Sequence, residues 1–368
     1  MPTVFFAYRD APERRAALAA PGALDRYRLF GLDEFRARGA RVRHNLERDS
    51  PPPAWTRAAA RGLNDLLRLL GGYGGDFATV LASLRTVNGT DVVFSTTDTV
   101  GIPLVLLKRA GLVRSPLVYA AIGLPERLVQ LRGGPIRRLY ANALRTAHTI
   151  VAYADGEVEW LRRWLGPDAP PVLFVPFGVD VEAFSPHPGQ PVELDVVSVG
   201  ADPRRDFELL TAVARRHPEL GFHIVATSDR ARSLGQVPAN VAIEKDVSLE
   251  RVRDRLDKAR VIALPVCDNS YSGATTSLLQ AMAMGKPVVV SRTDAIADGY
   301  DLENGGNCVL VPPGNAEAFD TALGELLANS NMADALGARA RETVVARFSW
   351  QRYTDTLWEI LSAASERP

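Results

Sequence analysis

The chain has 368 residues, 43 Lys or Arg against 43 Asp or Glu, and 46% hydrophobic residues. This balance excludes a disordered or low-complexity chain and a strongly basic nucleic-acid reader, and the length points to two domains rather than one core. The charge is uneven, basic over residues 1–180 and acidic beyond, which suggests two halves with different partners or a simple drift of surface charge.

Short apolar strands alternate with helical patterns from the start. TVFFAY reads as a strand, followed by a helical stretch near 29–38 and the strand RVRHNL. Helical stretches near 57–70 and 76–86 precede the strand DVVFST, and IPLVLLKRAGL is helical. PLVYAAIG, GPIRRLYANALRTA, HTIVAYA and GEVEWLRRWLG continue as strand, helix, strand and helix, and VLFVPFG closes the first half. This is the rhythm of a parallel sheet wrapped by helices.

The rhythm restarts after a turn-rich stretch near 178–191. LDVVSVG, GFHIVATS, VIALPV, PVVVS and CVLVP read as strands, with FELLTAVARRH, LERVRDRLDKA and LLQAMAMG as helices between them and two more helices near the end. The fold class expected is therefore α/β, with two doubly wound, Rossmann-like sheets in tandem. Met1 runs straight into a strand without a charged n-region, and the longest apolar run, near 102–107, is too short to span a bilayer, so a cytoplasmic protein without a signal peptide is expected. The sequon Asn88-Gly89-Thr90 is then chance, and Cys267 and Cys308 read as reduced core thiols.

In an open parallel sheet, ligands bind beyond the carboxyl ends of the strands, at helix N-termini. VIALPV ends in Cys267-Asp268-Asn269-Ser270-Tyr271, and the next helix is expected to begin near Thr275. Ser272, Gly273 and Ala274 form a small-residue turn without a carboxylate, and Thr275 or Thr276 offers a cap or a hydroxyl donor. Exposed N–H groups and the helix dipole there favour an anion, above all phosphate. A second strand-to-helix turn, VGADPRRDFELL, carries Arg204 and Arg205, whose guanidinium forks match phosphate oxygens. Each turn alone has a plain reading, a capped helix or a solvated arginine pair. Together they favour a diphosphate site over the two plain readings.

Other stretches carry less. The run Gly71-Gly72-Tyr73-Gly74-Gly75 lies between helices and reads as a flexible loop, not a phosphate cradle. There is no GxxxxGK[ST] and no Asp-x-Asp pair, and the five histidines lack ligand spacing, so no metal is expected. The basic run 125–145 places Arg127, Arg132, Arg137, Arg138 and Arg145 either toward anionic lipid or on a solvated helix face.

The segments LLQAMAMGKPVVVSRT, NGGNCVLVPPGNAEAF and LGARARETVVARFSW, in that order, resemble GT-B-fold glycosyltransferases, close to the large retaining family 4 group, and VLFVPFGVDVEAF is similar to that family's domain-crossing segment. The resemblance implies an acceptor-binding domain over 1–180, a nucleotide-sugar-binding domain over 181–349, and a C-terminal helix, 350–368, crossing back to the first domain. It implies that the turn at 273–276 and Arg205 receive the donor diphosphate. It also places Ser272 and Gln280 where the family carries its two glutamates, and Ala201 where it carries an arginine, with Arg204 the substitute. Gln280 retains hydrogen bonds for a ribose diol, whereas Ser272 is short and neutral. The reading that results is a metal-independent glycosyltransferase using a nucleoside-diphosphate sugar as co-substrate. Arg205, Thr275 and Thr276 stabilise the leaving group, and Arg204, Ser272, Gly273, Ala274 and Gln280 bind the donor. The acceptor is a small molecule, a glycan or lipid-linked, peripheral contact with the inner membrane face runs through 125–145, and anomeric configuration is retained. An inverting reaction needs a base, for which Asp10, His44 and Asp98 are the strand-end candidates. Two rivals share the fold: a nonhydrolysing nucleotide-sugar 2-epimerase and a non-catalytic nucleotide-sugar-binding subunit.

Overall fold

The computed structural model describes residues 1–366 apart from positions 20, 21, 188, 270, 272 and 298. The chain divides into two compact units, Met1–Pro176 with Thr354–Pro368, and Phe177–Tyr353.

The first unit is built on β1 (Thr3–Ala7), β2 (Arg41–His44), β3 (Val92–Ser95), β4 (Leu117–Ala121), β5 (Thr149–Ala152) and β6 (Val172–Phe174). All pair in parallel, in the order β2-β1-β3-β4-β5-β6. Every residue of β3, β4 and β5 is buried, which is why these strands read as unbroken apolar runs and not as alternation. The strand order reverses between β1 and β3, so the ligand-accepting edge of this sheet lies beyond their carboxyl ends.

The glycine run at 71–75 is packed, not open. Gly71 has φ +78°, and Gly71 O accepts from Arg132 N at 3.0 Å. A Cβ on Gly74 would collide with the Asn64 side chain, and one on Gly75 with Thr99 O and Pro103. Pro103 sits inside the helix Asp98–Arg109 and has no N–H for Thr99 O, which accepts instead from Asp76 N at 2.8 Å. The loop thus fills a gap that the proline creates.

The second unit carries β7 (Leu194–Gly200), β8 (Phe222–Ala226), β9 (Val241–Lys245), β10 (Ala259–Leu264), β11 (Val288–Ser291) and β12 (Val309–Val311). They are parallel in the order β12-β11-β10-β7-β8-β9, with the reversal between β7 and β10. The strand β9 was not anticipated. It is an edge strand whose residues beyond Val241 are only partly covered, so VAIEK has no apolar run to mark it.

The C-terminal helix Trp350–Ser365 begins in the second unit, where Trp350 and Tyr353 pack on Phe177. From Thr354 onward it belongs to the first unit. There Trp358 meets Phe35 edge-on at 5.2 Å, Asp355 pairs with Arg38, and Thr354 Cγ2 lies 3.0 Å from where a Cβ on Gly31 would stand. Among the described residues, no helix is long and apolar enough to cross a membrane. Cys267 and Cys308 are both free, and burial pushes the Cys308 thiol up to about 12.

Candidate functional site

The strand-order reversal in the second unit brings two strand-to-helix turns side by side. The first follows β7 and leads into the helix Phe207–Ala214, which Asp206 caps by accepting from Leu209 N at 3.0 Å. This turn is stitched to the chain leaving β10. Asp206 N donates to Pro265 O at 3.0 Å, Cys267 N donates to Arg204 O at 2.8 Å, and Arg205 and Val266 form an antiparallel bridge.

Within it the two arginines part. Arg204 is exposed, with its backbone N–H on Asp202 Oδ1 at 2.7 Å. Arg205 is 1% exposed, and its Nη2 donates to Val199 O at 2.6 Å. Its Nε and Nη1 meet no hydrogen-bond partner among the described residues. Burial pulls the Arg205 guanidinium down to about 10, against the opposing pull of Asp202 and Tyr271, so it stays a cation at neutral pH. A buried cation with unmatched donors is unfavourable by several kcal/mol (order of magnitude) unless an anion or acceptor meets it.

The second turn follows β10. Tyr271 reaches across, its hydroxyl donating to Asp202 Oδ1 at 2.6 Å, and so ties the two turns together. Ala274 takes up φ +71°, a left-handed conformation that strains a non-glycine residue and starts the helix Thr275–Ala283 without a side-chain cap. The first-turn N–H groups are therefore left to whatever lies before the helix. Thr275 is 3% exposed, and its Oγ1 has no partner among the described residues. Thr276 follows, partly exposed, and Gln280 is buried further along the same helix. At Gly273 a Cβ would stand 3.3 Å from the Tyr271 ring, so the ring limits what that position can carry. Ser272 lies outside the described residues.

The base candidates of the first unit differ among themselves. Asp10 is held ionised by Arg15, 2.8 Å away, chiefly through their hydrogen bond. His44 is buried, which pulls its imidazole below the usual range. Asp98 is 1% exposed, accepting from the Tyr119 hydroxyl at 2.8 Å and from Arg127 Nε at 3.3 Å. Burial outweighs both partners and lifts Asp98 to about 6. Behind it stands Glu157, 1% exposed, lifted to about 8 by burial and then by the charge of Asp98.

Of the five arginines in 125–145, Arg127 turns inward to Asp98 and stacks on Tyr73 at 4.4 Å, and Arg145 Nε donates to Leu165 O at 3.1 Å. Arg132, Arg137 and Arg138 remain exposed. Among the described residues, no group of three His, Cys, Asp or Glu side chains is placed to hold a metal ion.

Sequence reading missed Gly200, Tyr271 and Glu157. A glycine closing β7 five residues before Arg205 was the available signal for the first. Nothing in GEVEWLRRWLG distinguishes Glu157 from a solvated helix carboxylate.

Two tandem units, each a six-stranded parallel sheet wrapped by helices, are the constituents of the GT-B fold class. Structural neighbours agree. Sucrose-phosphate synthase from Thermosynechococcus elongatus superposes with a TM-score of 0.74 at 19% identity, covering 99% of this chain and 100% of the other. Anabaena HepE in complex with UDP-glucose superposes with a TM-score of 0.70 at 16% identity, covering the same shares. Residues 199–329, which include both turns, match the family model described as glycosyl transferases group 1. The chain is also 30% identical over 188 residues to an MMP alpha-(1->4)-mannosyltransferase of Mycolicibacterium hassiacum. That match spans 48% of this chain and 44% of the relative.

Proposed function

We propose that the protein is a glycosyltransferase that moves a sugar from a nucleoside-diphosphate donor to an acceptor without a metal ion. The observation that carries this reading is the pairing, at one strand-order reversal, of a buried Arg205 with two unmatched donors and a buried Thr275 hydroxyl at an uncapped helix N-terminus. Both sets of groups stabilise negative charge, and the bond from sugar to diphosphate leaves its electrons on the phosphate as it breaks. Donors fixed in advance at that position lower the barrier electrostatically. The UDP-glucose complex of a structural neighbour supports a nucleotide-sugar donor, and the mannosyltransferase relative supports sugar transfer.

In this mechanism Arg205, Thr275, Thr276 and the helix N–H groups hold the diphosphate. Arg204, Gly273, Ala274 and Gln280 line the donor. The leaving phosphate takes the acceptor proton, which requires no separate base and retains the anomeric configuration. The test is calorimetry with UDP, GDP and their hexose derivatives in the presence of EDTA, followed by proton NMR of the product with a panel of acceptors. Tight, EDTA-resistant donor binding and a retained anomeric coupling support the reading. Donor binding that requires magnesium or manganese overturns the metal-free part. Inversion sends the search to Asp10, His44 and Asp98. Donor binding with no transfer to any acceptor favours a non-catalytic subunit.

A further inference from the structure

The helix Ala54–Leu69 of the first unit has three faces where a surface helix ordinarily has two. One face packs inward through Thr56, Ala60 and Leu67, all buried. At about 100° per residue, Trp55, Leu66 and Leu69 fall within an arc of about 60° along the helix, with Gly62 between them and Ala58 and Ala59 at its margins. This line faces solvent: Trp55 is 63% exposed, Leu66 52% and Leu69 84%, and Leu70 just beyond the helix is 51% exposed. The third face, alongside, carries Arg57, Arg61 and Arg68, all exposed.

The segment next to the end of the helix carries a further exposed apolar residue. Gly71 O accepts from Arg132 N at 3.0 Å, which fixes the leucine end of the helix against the segment carrying Val129, itself 61% exposed. The same segment and the helix after it present Arg132, Arg137 and Arg138, exposed and without an ion pair among the described residues. Among the described residues Arg68 pairs only with Asp65, at 3.0 Å, a pair exposed on both sides and therefore weak.

We propose that this face docks onto an anionic lipid bilayer, the helix lying in the interface plane. Charge complementarity beside an exposed apolar line supports this occupant. Exposed leucines alone suit many partners, but here Arg57, Arg61 and Arg68 run the length of the helix on one side of them, with Asp65 between, and Arg132, Arg137 and Arg138 are exposed on the segment beyond its end. Trp and Leu on one face with Arg on the adjacent one is the composition of an interfacial helix. Arginine stems lie along apolar surface while their heads reach lipid phosphates. The proposal is independent of the reading of the donor site.

The test is sedimentation of the intact protein with vesicles of phosphatidylcholine, with and without phosphatidylglycerol, at low and high salt. Binding is expected only with phosphatidylglycerol and is expected to weaken with salt. Leu69→Glu lowers the partition coefficient about tenfold or more, and Arg61→Gln lowers it about fivefold. A blue shift of tryptophan emission on binding is expected to be lost in Trp55→Phe. These side chains are exposed, so the variants keep the circular dichroism spectrum of the parent. No binding to anionic vesicles at low salt overturns the proposal, as does equal binding by Leu69→Glu. A lipid-free dimer that Leu69→Glu breaks also overturns it, assigning the face to a second copy of the chain.

Discussion

The guanidinium of Arg205 fills the space that a side chain on Gly200 would need: a Cβ there would collide with Arg205 Nε. The glycine that closes β7 is therefore part of the proposed anion site without offering a polar atom to it. Gly200→Ala is expected to push the guanidinium out and to reproduce Arg205→Ala. Both variants weaken UDP or GDP binding by about tenfold to a hundredfold, the range for hydrogen bonds to a charged group. Calorimetry decides, and a Gly200→Ala protein with parental affinity would sink the account. Arg205→Lys restores the charge but not the fork and is expected to recover only part of the loss.

Thr275 separates stability from function. Its buried Oγ1 has no partner among the described residues, and such a group typically costs about 1–3 kcal/mol. Thr275→Val keeps the shape and removes the hydroxyl. The variant is expected to melt at a higher temperature than the parent without nucleotide, while kcat falls about a hundredfold through loss of one transition-state donor. A variant that is less stable and equally active would show that the hydroxyl has a structural role only.

The carboxyls of Asp98 and Glu157, lifted to about 6 and about 8, give the first unit a pH signature. In the unfolded chain both ionise near pH 4 (approximate). Between there and about pH 8 the folded state holds more protons than the unfolded state, so stability falls as pH rises through that window and is fully present below it. The slope is at most about 1.4 kcal/mol per pH unit for each group. Thermal midpoints measured across this range should fall for the parent and flatten in Glu157→Gln, which becomes the more stable protein at the alkaline end. Parallel curves for the two proteins would refute the assignment.

Gly337 permits a close crossing. A Cβ there would collide with the carbonyl oxygen of Gly285, which at φ +67° ends the helix Thr275–Ala283. Gly337→Ala forces the helix Ser330–Arg347 away from that backbone, and an overpacked crossing of this kind costs about 1–3 kcal/mol. Urea unfolding should show a lower midpoint, and nucleotide binding should weaken as well if the shift reaches Thr275. An unchanged midpoint would mean that the crossing relaxes freely.

Much of the architecture was legible because parallel strands are buried on both faces. LVYAA and TIVA need no alternation to be recognised, and turn residues between them mark the connections. The edge strand β9 lacked that signal. Direction was the harder quantity to read. The sequence shows five arginines in 125–145, but only packing reveals that Arg127 and Arg145 turn inward. The glycines at 71–75 looked like slack, yet their constraint comes from Asn64 on the preceding helix and from Thr99, Pro103 and Arg132, remote in the chain. At the two strand-to-helix turns of the second unit, Arg205 was legible as a cation at a strand end. Its burial depended on a glycine five residues earlier, and the left-handed Ala274 left no trace in a residue type that avoids that conformation.

The helix Trp350–Ser365 sets an order of manufacture. Residues 1–176 emerge from the ribosome first, but the surface around Gly31, Phe35 and Arg38 is covered by Thr354, Trp358 and Asp355. The whole second unit is translated in between, which takes roughly ten to forty seconds at 5–20 residues per second. During that interval the earlier-made part presents an uncovered aromatic surface to chaperones and proteases. The unit begun first is completed last.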